Sequence, residues 1–353
     1  MIALETVDRT GIDEAIDAAF DRLDARIAPL SGDIRPLAGA MRRAAAGGKR
    51  FRPALVAAAY RACGGETPAA DGVYEIAAAF ELLHTAFVIH DDVIDRDTER
   101  RGTPNIAGEF AVLARDQGAD AAGAALLGET AGILAGDVLL HEATRTVSLT
   151  DLPAASRAAV LDLLDDAVLV SAAGELADVA NTVRRDYPDA DEVLAATHDK
   201  TAVYSFASPL RAGALLAGSS GATDAALQRA GGLAGLAFQL VDDLIGAFAP
   251  AARAGRVEGA DLRAAKRTPL VALARESPSW AQVDVALSLA WTGPVAVRHA
   301  QQALDASGAR RRLVVLVEHT LADARAAAAD EALPAQATLL LAQLCDAIQR
   351  RIP

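Results

Sequence analysis

The stretch DAAGAALLGETAGILAGDVLL, Asp120 to Leu140, decides the fold class. Alanine and leucine are strong helix formers. Its apolar residues recur at three- and four-residue spacing, which is the signature of a helix with one buried face. The same alanine-rich texture extends in both directions, and 52% of the 353 residues are apolar. No run of alternating β-branched residues competes with it. The best strand candidate, RLVVLVE from Arg312 to Glu318, continues into HTLADARAAAADEAL, which reads as helix. The expectation is an all-α protein.

Breakers divide the helices. The clearest are Gly47-Gly48, Gly64-Gly65, Thr103-Pro104, Pro188, Gly218 to Gly221, Pro250 to Gly259 and Pro278. Between them we expect ten to twelve helices. No composition shift, linker or fixed-period repeat marks a domain boundary, so one large helical domain over 1–353 is expected.

The formal net charge is −13. Such a chain repels nucleic acid and anionic membrane unless its basic residues cluster. Two cysteines, Cys63 and Cys345, give no disulfide framework and fit a reducing cytoplasm. The longest charge-free run, Ala332 to Cys345, contains Pro334. On that count no transmembrane segment is expected, since a membrane helix needs about 20 apolar residues.

Two apolar runs end in paired carboxylates. The run Ile76 to Ile89 predicts a helix that continues through HDDVID, placing Asp91 and Asp95 one turn apart on one face. His84 lies two turns before Asp91 on that face. Like charges at this spacing repel, and a lone pair of this kind is ordinarily a solvated helix end. A divalent cation would relieve the repulsion. Oxygen-only ligands suit a hard ion such as Mg²⁺, which uses one or two carboxylates, waters and substrate phosphates. The second run, FQLVDDLIGAF from Phe238 to Phe248, ends in Asp242 and Asp243. Four residues beyond Asp242 stands Gly246, so the third carboxylate of the first cluster has no counterpart.

On an acidic chain, clustered cations stand out. GGKRFRP, Gly47 to Pro53, places Lys49, Arg50 and Arg52 at the start of a helix predicted from Pro53 to Cys63. A helix N-terminus already favours an anion. Arg100 and Arg101 are adjacent on an extended segment and so point apart. Lys200-Thr201 and Lys266-Arg267 are smaller islands. Carboxylates for a cation, cations for phosphates and an apolar run beside them together call for a diphosphate with an apolar tail.

These blocks carry a resemblance. GGKRFRP, ELLHTAFVIHDDVIDRDTERRGTPN, LAGDVLL, KTAVYSF, FQLVDDLIG and DLRAAKRT, in that order over Gly47 to about Leu270, resemble the trans-isoprenyl diphosphate synthases, or polyprenyl synthetases. The resemblance implies an isoprenoid synthase type I fold, a single large helical bundle around a central cavity, usually a homodimer. It implies head-to-tail condensation of isopentenyl diphosphate with an allylic diphosphate: dimethylallyl, geranyl or farnesyl. Mg²⁺ is the implied cofactor, three ions per active site, with Mn²⁺ able to substitute.

Residue by residue, the resemblance gives Asp91, Asp92 and Asp95 as the first aspartate motif, with Asp91 and Asp95 as metal ligands. Asp242 would hold a further Mg²⁺. Arg100, Lys200 and Lys266 would contact the allylic diphosphate. Lys49, Arg52, His84 and Arg101 would bind isopentenyl diphosphate. Thr201 and Gln239 match positions near the reacting carbons. Ala86 and Phe87, just before the first motif, match the floor of the tail cavity. One ring and one alanine there imply a medium floor and a C20 product, geranylgeranyl diphosphate. Gly246 is the departure, since many members have an Asp there.

Three other classes share part of this pattern. A class I terpene cyclase needs no second diphosphate site and continues its second Asp pair differently. A non-catalytic partner subunit has Gly246 as its only hint. A di-iron bundle would use Glu81 and His84 as Glu-x-x-His, but such sites need that motif twice.

Overall fold

Four helices in this chain start where a short polar side chain caps them. In the computed structural model, Asn105 accepts from the Gly108 amide at 2.9 Å, Asp120 from Gly123 at 2.8 Å, and Asp189 from Glu192 at 2.8 Å. Ser220 does the same for Thr223. Each such cap satisfies an amide the helix cannot, stabilising its start by about 1 kcal/mol. Pro269 and Pro294 open two later helices at positions where no amide is needed.

The structure describes residues 6–30, 32, 34–100, 102–250 and 257–353, with side chains from position 8. Sixteen α-helices lie among the described residues: α1 Thr6–Ile27, α2 Ile34–Ala45, α3 Phe51–Ala62, α4 Val73–Ile94, α5 Ile106–Asp116, α6 Ala121–Leu149, α7 Ala154–Val183, α8 Ala190–Ala202, α9 Ser208–Leu216, α10 Gly221–Phe248, α11 Ala260–Arg263, α12 Pro269–Arg275, α13 Trp280–Leu289, α14 Pro294–Ala306, α15 Ala309–Ala327 and α16 Ala335–Gln349. A π-turn, Val203–Ala207, joins α8 to α9. The only strands among the described residues, β1 Glu99–Arg100 and β2 Thr103–Pro104, pair antiparallel. RLVVLVE lies inside α15, so its helical continuation decides its state. The count exceeds the ten to twelve expected, because short helices such as α11 show too little periodicity to be seen.

Two compact units are distinguishable. The first runs to Leu164 and adds Ala212–Gly218; the second comprises Asp165–Arg211 and Ser219–Pro353. In the first unit α4 is the centre, packed by α1, α3 and α6. Ile76, Phe80, Leu82 and Leu83 on α4 are fully buried. Each such side chain contributes about 1.5–3 kcal/mol. In the second unit α10 plays that part, packed by α8, α11, α15 and α16.

Three glycines set how closely α4 and α5 approach α6. A Cβ on Gly128 would lie 2.4 Å from the Ala107 carbonyl oxygen. On Gly132 it would lie 2.4 Å from a Val93 methyl, and on Gly136 2.1 Å from the His90 ring. The stripe at four-residue spacing thus seats the end of α4.

The membrane expectation needs correction. By length and composition, α4, α6 and α10 are each long and apolar enough to cross a membrane. Counting only charge-free runs missed them, because long helices tolerate one or two charges at this hydropathy. The apolar windows of α4 and α10 are 72% and 61% buried within the protein, that of α6 only 39%.

Candidate active site

The end of α4 carries the first motif. The helix runs through Asp91 and Asp92, and Asp95 caps it, its amide donating to the Asp91 carbonyl at 2.8 Å. His84, Phe87 and Asp91 are half-buried and lie three and four residues apart, as does Asp95. They form one partly open stripe along α4, whose last turns also leave Val88, His90 and Val93 half-buried. Ala86 lies off that stripe, fully buried.

Asp92 turns inward. Its carboxylate accepts from Arg100 Nε at 2.8 Å and from a second guanidinium nitrogen of the same residue, which also reaches Asp91 at 3.4 Å. Burial pushes the Asp92 carboxyl above the usual range, while the Arg100 hydrogen bond pulls it down. β1 is what aims Arg100 back at α4. Arg101 lies outside the described residues. His90 is held by the Ile133 carbonyl at 3.2 Å and Asp137 at 3.4 Å.

The island before α3 divides into structural and available cations. Arg50 is 6% exposed and sits at a left-handed φ of 49°, a conformation costing about 1–3 kcal/mol. Its guanidinium offsets this by donating to Ala45 O at 2.8 Å, Asp13 at 2.8 Å and Glu81 at 3.0 Å. Glu81 is therefore the partner of Arg50, and the Glu-x-x-His reading has no structural basis. The helix starts at Phe51, two residues earlier than expected, so Arg52 lies within its first turn. Lys49 is exposed and Arg52 half-buried.

In the second unit a relay joins two expected residues. Thr201 Oγ1 donates to Gln239 Oε1 at 3.1 Å, and Gln239 Nε2 donates to Asp243 at 3.1 Å. Burial, then the charge of Asp261, push the Asp243 carboxyl up to about 8, against the Gln239 hydrogen bond. Asp242, one residue earlier, is half-buried and ion-pairs with Arg351. Lys200 bridges Glu175 at 2.8 Å and Asp178 at 3.0 Å. The π-turn begins three residues after Lys200, and such turns are frequent at functional sites. Lys266 follows Ala265, which has a left-handed φ of 52°. Arg267 instead stacks on Tyr187 at 4.0 Å and donates to Asn181 O at 2.8 Å, a structural use.

Gly246 has a neighbour that explains it. A Cβ there would lie 1.9 Å from Asp261 Oδ2. The 9%-exposed Asp261 carboxylate thus stands where a side chain at 246 would begin. Asp261, Arg351, Glu175 and Asp178 were not foreseen. A cue existed for the last two, which sit three apart on α7 much as Asp92 and Asp95 sit on α4. None existed for Arg351.

Residues 35–306 match the polyprenyl synthetase family. The chain belongs to that family. The synthetase is a prenyltransferase and shares the all-α fold of isoprenyl diphosphate synthases. It is 33% identical to the short chain isoprenyl diphosphate synthase of Methanothermobacter thermautotrophicus, over 70% of this chain and 69% of that one. It is 35% identical to a geranylgeranyl diphosphate synthase of Mycobacterium tuberculosis, over 82% and 76%. Relatives named for farnesyl and octaprenyl products match at 35% and 32%. The geranylgeranyl pyrophosphate synthase of Corynebacterium glutamicum, solved with isoprenyl diphosphate and magnesium, aligns over 98% of both chains with a TM-score of 0.88 and 27% identity.

Proposed function

We propose that the synthetase condenses isopentenyl diphosphate with an allylic diphosphate to give geranylgeranyl diphosphate, as a homodimer of one 353-residue polyprenyl synthetase domain in the cytoplasm. The observation that carries this is the stripe on α4, where a half-buried ring at Phe87 leads one turn on to Asp91. Apolar wall and carboxylate share one face, as a tailed diphosphate requires.

The donors fit magnesium. Asp91, Asp95 and Asp242 offer hard carboxylate oxygens. Among the described residues no three His, Cys, Asp or Glu side chains close into a cage. That suits an ion completed by waters and substrate oxygens. Three Mg²⁺, or Mn²⁺ in their place, are the proposed complement. When bound, magnesium stabilises the departing diphosphate electrostatically. Arg100, Lys200 and Lys266 bind that diphosphate from the protein side. Lys49, Arg52, His84 and Arg101 hold isopentenyl diphosphate. Thr201 and Gln239 present polar atoms near the reacting carbons, and their mutual hydrogen bond fixes the Gln239 amide. The released diphosphate takes the final proton, so no side-chain base is assigned.

The chain-length assignment is tested by product sizing. Purified protein is incubated with labelled isopentenyl diphosphate and each short allylic primer. The wild type should stop at C20. Phe87→Ala should give longer chains, and Ala86→Phe should shift products toward C15 or C10. Because Ala86 is fully buried, the added ring also overpacks the core, at about 1–3 kcal/mol. Melting curves must therefore accompany the assay. An unchanged product distribution in Phe87→Ala removes that residue from the floor.

A further inference from the structure

With Asp242 as the magnesium carboxylate proposed above, a reading on which this role rests, we infer that Arg351 is a positioning residue. It is the resting counter-ion of Asp242, and it yields that carboxylate when a divalent cation enters with a diphosphate.

The geometry is a two-point cradle on one face of α10. A guanidinium nitrogen of Arg351 pairs with Asp242 Oδ1. Its central carbon lies 4.2 Å from the centroid of the Phe238 ring, one helical turn before Asp242. Ring and carboxylate are therefore aligned by the helix itself, and a planar cation fits both. The cation is delivered by the turn after α16, a helix that packs on α10 and buries Leu340, Leu344 and Ile348. The turn after α16 is closed by an Arg351 N–H to Ile348 O bond at 2.9 Å. The contact thus spans 109 residues of sequence but is anchored on both sides by packed helices.

Why hold a cation there? The carboxylates of Asp242 and of the buried Asp261, which stands against Gly246, gather negative charge at this end of α10 and call for a compensating charge. An arginine supplies it at every physiological pH, because its guanidinium does not deprotonate. A guanidinium and a divalent cation cannot both sit against the same carboxylate oxygen, since they repel. Yet the pair is displaceable. The two side chains remain 28% and 34% exposed, where an ion pair is weak. A diphosphate arriving with the metal offers Arg351 a better anion than the one it leaves. Arg351 would then make cation binding at Asp242 depend on diphosphate.

The experiment reads Mn²⁺ binding by electron paramagnetic resonance on the full chain, in an Asp91→Ala/Asp95→Ala background that removes both proposed ligands of the first motif. Removing Arg351 (Arg351→Ala) should tighten Mn²⁺ binding about three- to tenfold without diphosphate. Adding inorganic diphosphate should tighten binding in the parent protein much more than in the variant. Arg351→Lys, which keeps the charge but not the planar stack on Phe238, should restore part of the parent behaviour. If it keeps the parent melting temperature, it also shows that the turn after α16 is intact. Unchanged or weaker Mn²⁺ binding in Arg351→Ala, with the diphosphate effect retained, overturns the inference. Asp242→Ala separates the two levels. If it leaves Mn²⁺ binding unchanged in this background, the metal assignment of Asp242 itself is wrong. If it weakens binding while Arg351→Ala changes nothing, only the role of Arg351 is wrong.

Discussion

At the end of α4, Arg100 reaches back eight residues to close on Asp92. At the end of α10, the cation on Asp242 comes from Arg351, 109 residues further on. The first motif is charge-compensated by its own loop, and its inward carboxylate is only 6% exposed although its arginine is 37% exposed. The second is compensated from another helix, through a pair still open to water. The same Asp-Asp pair is therefore firmly built in one unit and adjustable in the other. The difference arises from the residues that come next in each sequence: the short strand that carries Arg100 after Asp95, a glycine and an alanine after Ile245.

Three comparisons of substitutions bear on that contrast, in falling order of effect. On the metal role proposed for Asp91, Asp91→Ala should lower turnover on the order of 10³-fold at saturating magnesium, by the several kcal/mol a metal ligand supports. Asp242→Ala should cost less, because only the first cluster has the extra carboxylate Asp95. Steady-state kinetics decide it, and equal losses would erase the distinction between the motifs. The second comparison is of stability. Arg100→Ala leaves Asp92 buried without its guanidinium and should cost about 1.5–3 kcal/mol. Arg351→Ala removes a partly exposed pair and a ring contact and should cost about 1 kcal/mol. Urea denaturation of both, without divalent cations, measures the gap. A larger loss at Arg351 would make the second motif the more firmly built one.

The third is a test of sign. In an open helix, Gly246→Ala would gain up to about 1 kcal/mol from propensity. Against Asp261 Oδ2, 1.9 Å from the new methyl, it should instead destabilise, and Asp261→Ala should reverse the loss. A stabilising Gly246→Ala would mean that Asp261 does not hold that space.

Much of this was legible because it is local. The apolar period of Ile76 to Ile89 runs into α4 as expected, and the motif residues follow by counting. The break at Gly47-Gly48 and those around Pro188 and Gly218 fall between helices. Arg100 was found because it is near Asp91 in the chain. What stayed hidden is what three-dimensional packing supplies. Arg351 meets Asp242 only because α16 packs on α10. Asp261 meets Gly246 only because α11 folds back onto that helix. Gly246 read as a missing ligand; in the fold it is room for a neighbour. The left-handed Arg50 was also invisible, since its conformation depends on Asp13 and Glu81, neither of them close in sequence.

The glycines of α6 impose a one-sided limit on how this enzyme can vary. Gly128, Gly132 and Gly136 face the chain at Ala107, Val93 and His90 with no side chain at all. They cannot be made smaller, and any replacement adds atoms. The turn that carries the aspartates is therefore already as near to α6 as two helices allow. Inherited change along α6 can push that turn outward but never draw it further in. Its inward position is an extreme, and adjustments of active-site depth are left to residues of α4 itself.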